Sequence, residues 1–413
     1  MWPRLILSKS EGVHLSLINW SRYVVSKKYS TKLPEEPTSN SKNPDEPPSN
    51  LKSQEENKIT DLLDNSASYN EAADTSWKTS PYPDGAILPS EQPKRPRQDP
   101  QETSIVLFPG QGTIKVGQVK DYLHFPRVTE LFKVANDALG YDLLDICLNG
   151  PQEKLNRCEY NQPATTAISL AAIEKLREER PTSIEGCKTV AGYSIGEIPA
   201  LVFAGGLSFE DGIRLAGVRG AAMQQACDLN KQAMISVFIK AGSSLKKICE
   251  PSIKYAEELG VADPICRVAI FVCPQTKIIA GHEEAIEYIE KNRRELRLIR
   301  VKRLPVSGAF HTALMEPAVD TFKKALSTVE INPLRLQVFS NVKGKPYLTP
   351  EEIKKLLVKQ LTRPVRWEQI LQHLYARPDG ENFPRTFDVA SNGSLKAMLT
   401  RVNLKAANSC ITA

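Results

Sequence analysis

Nowhere in the 413-residue sequence is there a run of about 18 uncharged apolar residues, the length a helix needs to cross a bilayer, so its pattern argues against a membrane span. Histidine is scarce. The five, at positions 14, 124, 282, 311 and 373, stand at no metal-ligand spacing from one another or from a cysteine. The eight cysteines include no Cys-x-x-Cys pair and are scattered through periodic apolar segments. They read as reduced core thiols, and a structural zinc site is not expected. The formal net charge of +6 is mild and its basic residues are widely spread, which argues against nucleic-acid binding and fits a small or acidic protein partner better.

What is present divides the chain. Residues 1–32 carry Arg4, Lys9, Arg22, Lys27 and Lys28 against one acid, Glu11, with Trp, Leu, Ile and Val between. Basic, amphipathic and acid-poor, this stretch predicts a mitochondrial transit peptide; its apolar stretches are too short and interrupted for a secretory signal. From residue 33 to 102 the composition shifts to Pro, Ser, Asn, Glu and Asp, as in "LPEEPTSNSKNPDEPPSNLKSQEEN". So little apolar area cannot offset the entropy of ordering the chain, and a disordered linker is expected.

Order is expected to begin at "TSIVLFPGQG", where Ile105 to Phe108 form a continuous apolar run stopped by Pro109 and Gly110, the pattern of a strand buried on both faces of a parallel sheet. Helical and strand patterns then alternate: "YNQPATTAISLAAIEKLREER", "CKTVAGYSIGE", "IPALVFAGG" and "FEDGIRLAGVRGAAMQQA". This is an α/β rhythm. Between residues 231 and 303 the order becomes β-α-β-β-α-β, that of a ferredoxin-like unit inserted into a larger domain made of residues 103–230 and 304–405.

Chemistry could arise at four places. Gly192 and Gly196 flank Ser194 as in G-x-S-x-G, where a tight strand-to-helix turn exposes a nucleophile; a helix-capping serine has the same local look. "FPGQG" follows the first strand, and its glycines allow the backbone of Gln111 to approach a ligand, or make an ordinary turn. Arg219 lies on a helix soon after the serine turn, in company with Arg214, which reads as solvated. His311, in the small-residue loop "PVSGAFHTALME", is the natural candidate base if it is not simply structural, since the other histidines lie in the presequence or at helix ends.

"LFPGQG", "AGYSIGE", "RLAGVRGAAMQQA", "PVSGAFHTALM" and "RPVRWEQ" occur in the order and approximate spacing of the malonyl-CoA:acyl-carrier-protein transacylases, and the chain resembles that family over roughly residues 104–405. The resemblance implies an α/β-hydrolase-like large domain with a parallel sheet and the inserted small subdomain. It implies Ser194 as nucleophile, His311 as general base and later acid, and the backbone nitrogens of Gln111 and Ile195 as oxyanion hole. Arg219 would pair bidentately with the free carboxylate of a malonyl group, and Phe310 of "GAFH" would disfavour an α-methyl branch. The imidazole would be oriented by a backbone carbonyl near Arg366, with no catalytic Asp. No cofactor is implied; malonyl-CoA and phosphopantetheinylated acyl carrier protein are the implied partners, the mitochondrial matrix the implied compartment. An acidic carrier would suit the basic run "KNRRELRLIRVKR", residues 291–303.

Three positions depart from the family pattern. Tyr193 stands where bacterial members have His and is expected to shape the pocket wall. Ile270 replaces a common asparagine, and "VASNGSL", residues 389–395, replaces "VGPGxxL", so that turn must be built differently. Two other readings remain at this point: a serine hydrolase ordered Ser194, Asp263, His311, or a catalytically weak member that serves as a binding protein.

Overall fold

The computed structural model describes residues 99–240, 243–378 and 380–413. The expected transit peptide lies outside the described residues, as does the expected linker up to residue 98. Pro100–Glu102 form a short 3-10 turn capped by the Asp99 side chain, and lead into the first strand.

That strand, β1 (Ser104–Phe108), is buried along its whole length, as its unbroken apolar run requires. It pairs in parallel with β2 (Cys187–Gly192) on one side. Seven strands on, β8 (Arg385–Asp388) takes its other side. With β7 (Gln337–Phe339) beside β2 and β9 (Cys410–Thr412) beside β8, the sheet is wholly parallel, ordered β7-β2-β1-β8-β9. The last strand falls beyond residue 405, where the sequence reading ends the domain. Three residues, only some of them apolar, leave too little pattern to be seen.

The second sheet is formed by β3 (Gln232–Phe238), β4 (Cys266–Cys273), β5 (Thr276–His282) and β6 (Arg300–Arg303). It is antiparallel throughout, ordered β4-β5-β3-β6, which is the ferredoxin-like arrangement. Period-2 alternation divides its residues. Ala233, Ile235, Val237 and Ile279 share a core with Ile248, Ile286 and Ile289, from the two crossover helices Lys246–Glu258 and Glu283–Lys291. Met234, Ile270, Val272, Ile278 and Ala280 belong instead to the main core. Both faces of this sheet are therefore covered. Ile270 lies on the face toward the main core, where burying an apolar side chain stabilises by roughly 1.5–3 kcal/mol.

Five helices carry the residues that matter below: α1 (Cys158–Glu179), α2 (Glu197–Phe203), α3 (Phe209–Asp228), α4 (Pro350–Gln360) and α5 (Trp367–Tyr375). Before α5, Val365 ties its segment to β4: its N–H donates to Ala269 O at 2.9 Å and its carbonyl accepts from Phe271 N at 2.9 Å.

Candidate active site

In a parallel sheet the carboxyl ends of the strands point to one edge, and loops leaving that edge are where ligands bind. Gln111 leaves it after β1, Ser194 after β2 and Asn341 after β7. The serine turn is held tight by glycine. A Cβ at Gly192 would stand 2.0 Å from Gly196 O, and one at Gly196 would stand 2.5 Å from Phe108 O at the end of β1. Both positions thus bring backbone against backbone with no room for a side chain.

Ser194 adopts φ 56°, in the left-handed region that costs a non-glycine residue roughly 1–2 kcal/mol. The turn is pinned by Asn341, whose Oδ1 accepts from Ser194 N at 2.7 Å while its Nδ2 donates to Gly192 O at 2.7 Å. Helix α2 starts only at Glu197, with Gly196 as its cap. Ser194 is therefore no helix cap. Its hydroxyl lies 2.8 Å from His311 Nε2.

His311 also has positive φ, 63°, and is buried. Its Nδ1 lies 2.7 Å from the backbone carbonyl of Gln360 at the end of α4. A carbonyl can only accept, so Nδ1 carries the proton and Nε2 is left to accept from the serine hydroxyl. Burial, seconded by the positive charge of Arg219, lowers the imidazole pKa to about 3, against the pull of the Gln360 carbonyl, so the ring is neutral at physiological pH. The orienting carbonyl is that of Gln360 and not one near Arg366: Arg366 N–H is turned to Asn341 O, 2.8 Å away. Asp263, the acid of the hydrolase reading, is exposed in the loop ahead of β4. The Nδ1 position such an acid would occupy belongs to Gln360.

Arg219 is 2 % exposed on α3. Helix α3 reaches the N-terminal turn of α1 because Gly220 leaves room there; a Cβ would meet Cys158 O at 2.3 Å. The guanidinium donates through Nη1 to Gln162 Oε1 at 2.7 Å and through Nη2 to Gln360 Oε1 at 2.8 Å. Burial lowers its pKa to about 10, with Cys158 and Glu197 acting in the opposite sense, so it stays charged. Arg214 is exposed and paired with Glu210 and Asp211, as expected of a solvated residue.

Gln111 sits between Gly110 and Gly112, and its side-chain carbonyl accepts from Gln162 Nε2 at 3.3 Å. Ile195 follows the serine directly and is buried. Phe310, 7 % exposed, precedes the histidine and packs near Gly308. Tyr193 lies behind the turn: its ring meets Trp367 edge-on at 5.3 Å between centroids and fills the place a Gly110 side chain would take. The 389–395 turn is rebuilt on positive φ at Ala390, Asn392 and Gly393. Asn392 Nδ2 then donates to Thr113 O at 3.0 Å, and Gln118 Nε2 to Ala390 O at 3.1 Å, tying this turn to the loop that carries Gln111.

Four residues escaped the sequence reading. Gln162, Asn341 and Gln360 lie on three different elements, and Glu197, though quoted in "GYSIGE", gave no sign of its role. Glu197 is fully buried and accepts from Asn341 N and Tyr347 OH, each at 2.8 Å, and from Gln360 Nε2. The signal for Asn341 was its place at the carboxyl end of a strand beside β2, where polar residues collect at α/β sites. Among the described residues no group of three or more His, Cys, Asp or Glu could hold a metal ion, and no helix is long and apolar enough to cross a membrane.

The acyl transferase domain model matches residues 107–387. The probable mitochondrial malonyl-CoA-acyl carrier protein transacylase of Drosophila melanogaster is 48 % identical over 321 residues, which cover 78 % of this chain and 85 % of the relative. The human mitochondrial malonyl-CoA-acyl carrier protein transacylase is 42 % identical over 310 residues, 75 % of this chain and 80 % of its own length. Among solved structures, a malonyl-transacylase in complex with its type II PKS acyl-carrier protein is similar at a TM-score of 0.66 and 30 % identity, covering 75 % of this chain and 95 % of that one. With a family model matched over most of its length and relatives of this identity and coverage, the chain belongs to the acyl transferase family, among the malonyl-CoA-acyl carrier protein transacylases.

Proposed function

We propose that this chain carries a malonyl group from malonyl-CoA to the phosphopantetheine thiol of acyl carrier protein in the mitochondrial matrix, by way of a malonyl ester on Ser194. The observation that carries this reading is the joining of three groups through Gln360. Its backbone carbonyl orients His311, its amide nitrogen bonds Ser194 O, and its amide oxygen holds Arg219. A hydrolase of neutral acyl chains has no use for a buried cation at that place.

In the first half-reaction His311 Nε2 takes the Ser194 hydroxyl proton as Oγ attacks the thioester carbonyl. The C–S bond then breaks, and the imidazolium returns the proton to the leaving CoA sulfur. In the second, His311 takes the proton of the pantetheine thiol, whose sulfur attacks the ester carbonyl, and the proton goes back to Ser194 Oγ. The backbone N–H groups of Gln111 and Ile195 would receive the oxyanion in both halves, since the two turns pack against each other where Gly196 meets the end of β1. Arg219 would hold the malonyl carboxylate by a two-pronged charge-assisted pair, and Phe310 would limit bulk at the α-carbon. Both halves balance by acyl and proton transfer alone, so no cofactor enters the proposal. The carrier would approach the basic run, where Arg293, Arg294, Arg297, Arg300 and Lys302 are exposed while Arg303 is occupied by Glu283 and Glu290.

Intact mass of the protein after mixing with malonyl-CoA tests the reading. One malonyl adduct is expected on the wild type and none on Ser194→Ala, with the adduct discharged on adding carrier protein. Release as free malonate at the same rate without carrier would favour a hydrolase, and a folded protein that never acylates would overturn both.

A further inference from the structure

Between the nucleophile and the buried arginine lies an acid that the proposed reaction does not use. Glu197 occupies the first turn of α2, three residues after Ser194, and faces the Gln360 amide. We infer that Glu197 is a positioning residue for substrate selection: its carboxylate fixes which way round the Gln360 amide sits, and so keeps an acceptor on Arg219.

The two ends of a carboxamide differ little in shape, and packing alone does not choose between them; hydrogen-bond chemistry does. Gln360 Oε1 meets the guanidinium Nη2, which can only donate, and Nε2 meets Ser194 O, which only accepts, and Glu197 Oε2, which accepts when the carboxyl is ionised. Turned over, the amide would set donor against donor at Arg219 and acceptor against acceptor at the other two contacts. The amide dipole also lies along the field between an anion and a cation. Glu197 itself has no freedom to turn the pattern round, because Asn341 N–H and Tyr347 OH both bring donors to its Oε1. Burial raises its pKa to about 7, opposed by those donors and by Arg219, so above that pH it is the acceptor that Gln360 requires. Gln162, the other acceptor on Arg219, has weaker support of its own, with Nε2 at 3.3 Å from Gln111 Oε1 and 3.5 Å from Met223 Sδ.

Glu197→Gln keeps the size and removes the acceptor. Asn341 and Tyr347 would claim the new amide's oxygen, which leaves its nitrogen against Gln360 Nε2. Gln360 then turns or withdraws, and Arg219 loses one of its two anchors.

This inference rests on Arg219 being the partner of the malonyl carboxylate, and the experiment separates the two. Rates of Ser194 acylation by malonyl-CoA and by acetyl-CoA are measured at pH 8 for wild type, Arg219→Ala, Glu197→Gln, Gln360→Met and the Glu197→Gln/Arg219→Ala double variant. The readout is the malonyl-to-acetyl ratio of kcat/KM, which a simple loss of folded protein leaves unmoved. Arg219→Ala is expected to collapse the ratio. Glu197→Gln is expected to lower it about tenfold, mainly through KM for malonyl-CoA, the scale of losing one hydrogen bond to a charged group. It should add nothing in the Arg219→Ala background. Gln360→Met, which removes the amide with Glu197 intact, should lower the ratio to the Glu197→Gln level and serves where that variant does not fold. A wild-type ratio in Glu197→Gln or in Gln360→Met, with Arg219→Ala collapsed, overturns the role of Glu197 alone. An unchanged ratio in Arg219→Ala overturns the reading of Arg219 and this inference with it.

Discussion

At the scale of single residues, two side chains that meet at 2.8 Å hang on strained backbones: Ser194 and His311 are both held at positive φ. Such strain persists only where the surroundings over-determine it, here through Asn341 on one side and the Gln360 carbonyl on the other. The neutral state of His311 has a consequence for pH. With its pKa lowered to about 3 by burial, the proposed base would be in its working form well below the ordinary imidazole range. A neutral sulfonyl fluoride, which carries no carboxylate for Arg219 to bind, should modify Ser194 at a rate that stays level from pH 8 down to pH 5. A fall centred near pH 6.5 would show an imidazole of ordinary basicity and refute the assignment. The serine, the histidine and the arginine were legible because each sits in a short motif with small residues around it. Gln360 was not, for its part is played by a carbonyl and an amide at a helix end that no local pattern marks, 49 residues along the chain from the histidine it orients.

Among elements, the ferredoxin-like unit could be read because every strand and helix in it carries its own period and all are neighbours in sequence. What the sequence could not give is how α5 and the Val365 segment, from the far end of the chain, are keyed to the β4–β5 hairpin. Pairing across some 90 residues leaves no periodic trace. The key is Lys277, whose ammonium donates to Glu368 Oε2 at 2.7 Å and to the carbonyls of Cys273 and Pro274. Both side chains of the ion pair are mostly buried, 7 % and 12 % exposed. An ion pair in such a place contributes little over an apolar pair, but removing one partner leaves the other mostly buried and without its counter-ion. Lys277→Met is expected to destabilise the protein by about 3–5 kcal/mol in urea unfolding, and Lys277→Met/Glu368→Leu to recover most of that loss. If the single variant costs no more than an exposed pair would, about 0–1 kcal/mol, the hairpin is not held this way.

For the molecule as a whole, the site leaves a mark on how stability varies with pH. Three buried groups matter: Glu197, raised from 4.5 to about 7; Asp388 at the end of β8, raised from 3.8 to about 6; and His311, lowered from 6.5 to about 3, each chiefly by burial. A raised carboxyl keeps its proton longer in the folded state than in the unfolded chain. Its contribution is full below the unfolded pKa and is lost as pH climbs through the folded one. A depressed histidine acts the other way, contributing above pH 6.5 and losing that contribution as pH falls toward 3. Between pH 4.5 and 6.5 the imidazole therefore offsets part of what the two carboxyls lose, and the wild-type stability should fall less steeply there than the carboxyls alone would make it. Glu197→Gln separates them. The neutral amide carries no titration, so the variant escapes the loss that the wild type suffers between pH 4.5 and 7. Whatever its fixed packing cost, the variant should gain on the wild type as pH rises from 5 to 8, by on the order of 3 kcal/mol. Urea midpoints at the two pH values measure that gain. A difference between the proteins that stays constant with pH would mean that Glu197 ionises as an ordinary carboxyl, against its full burial.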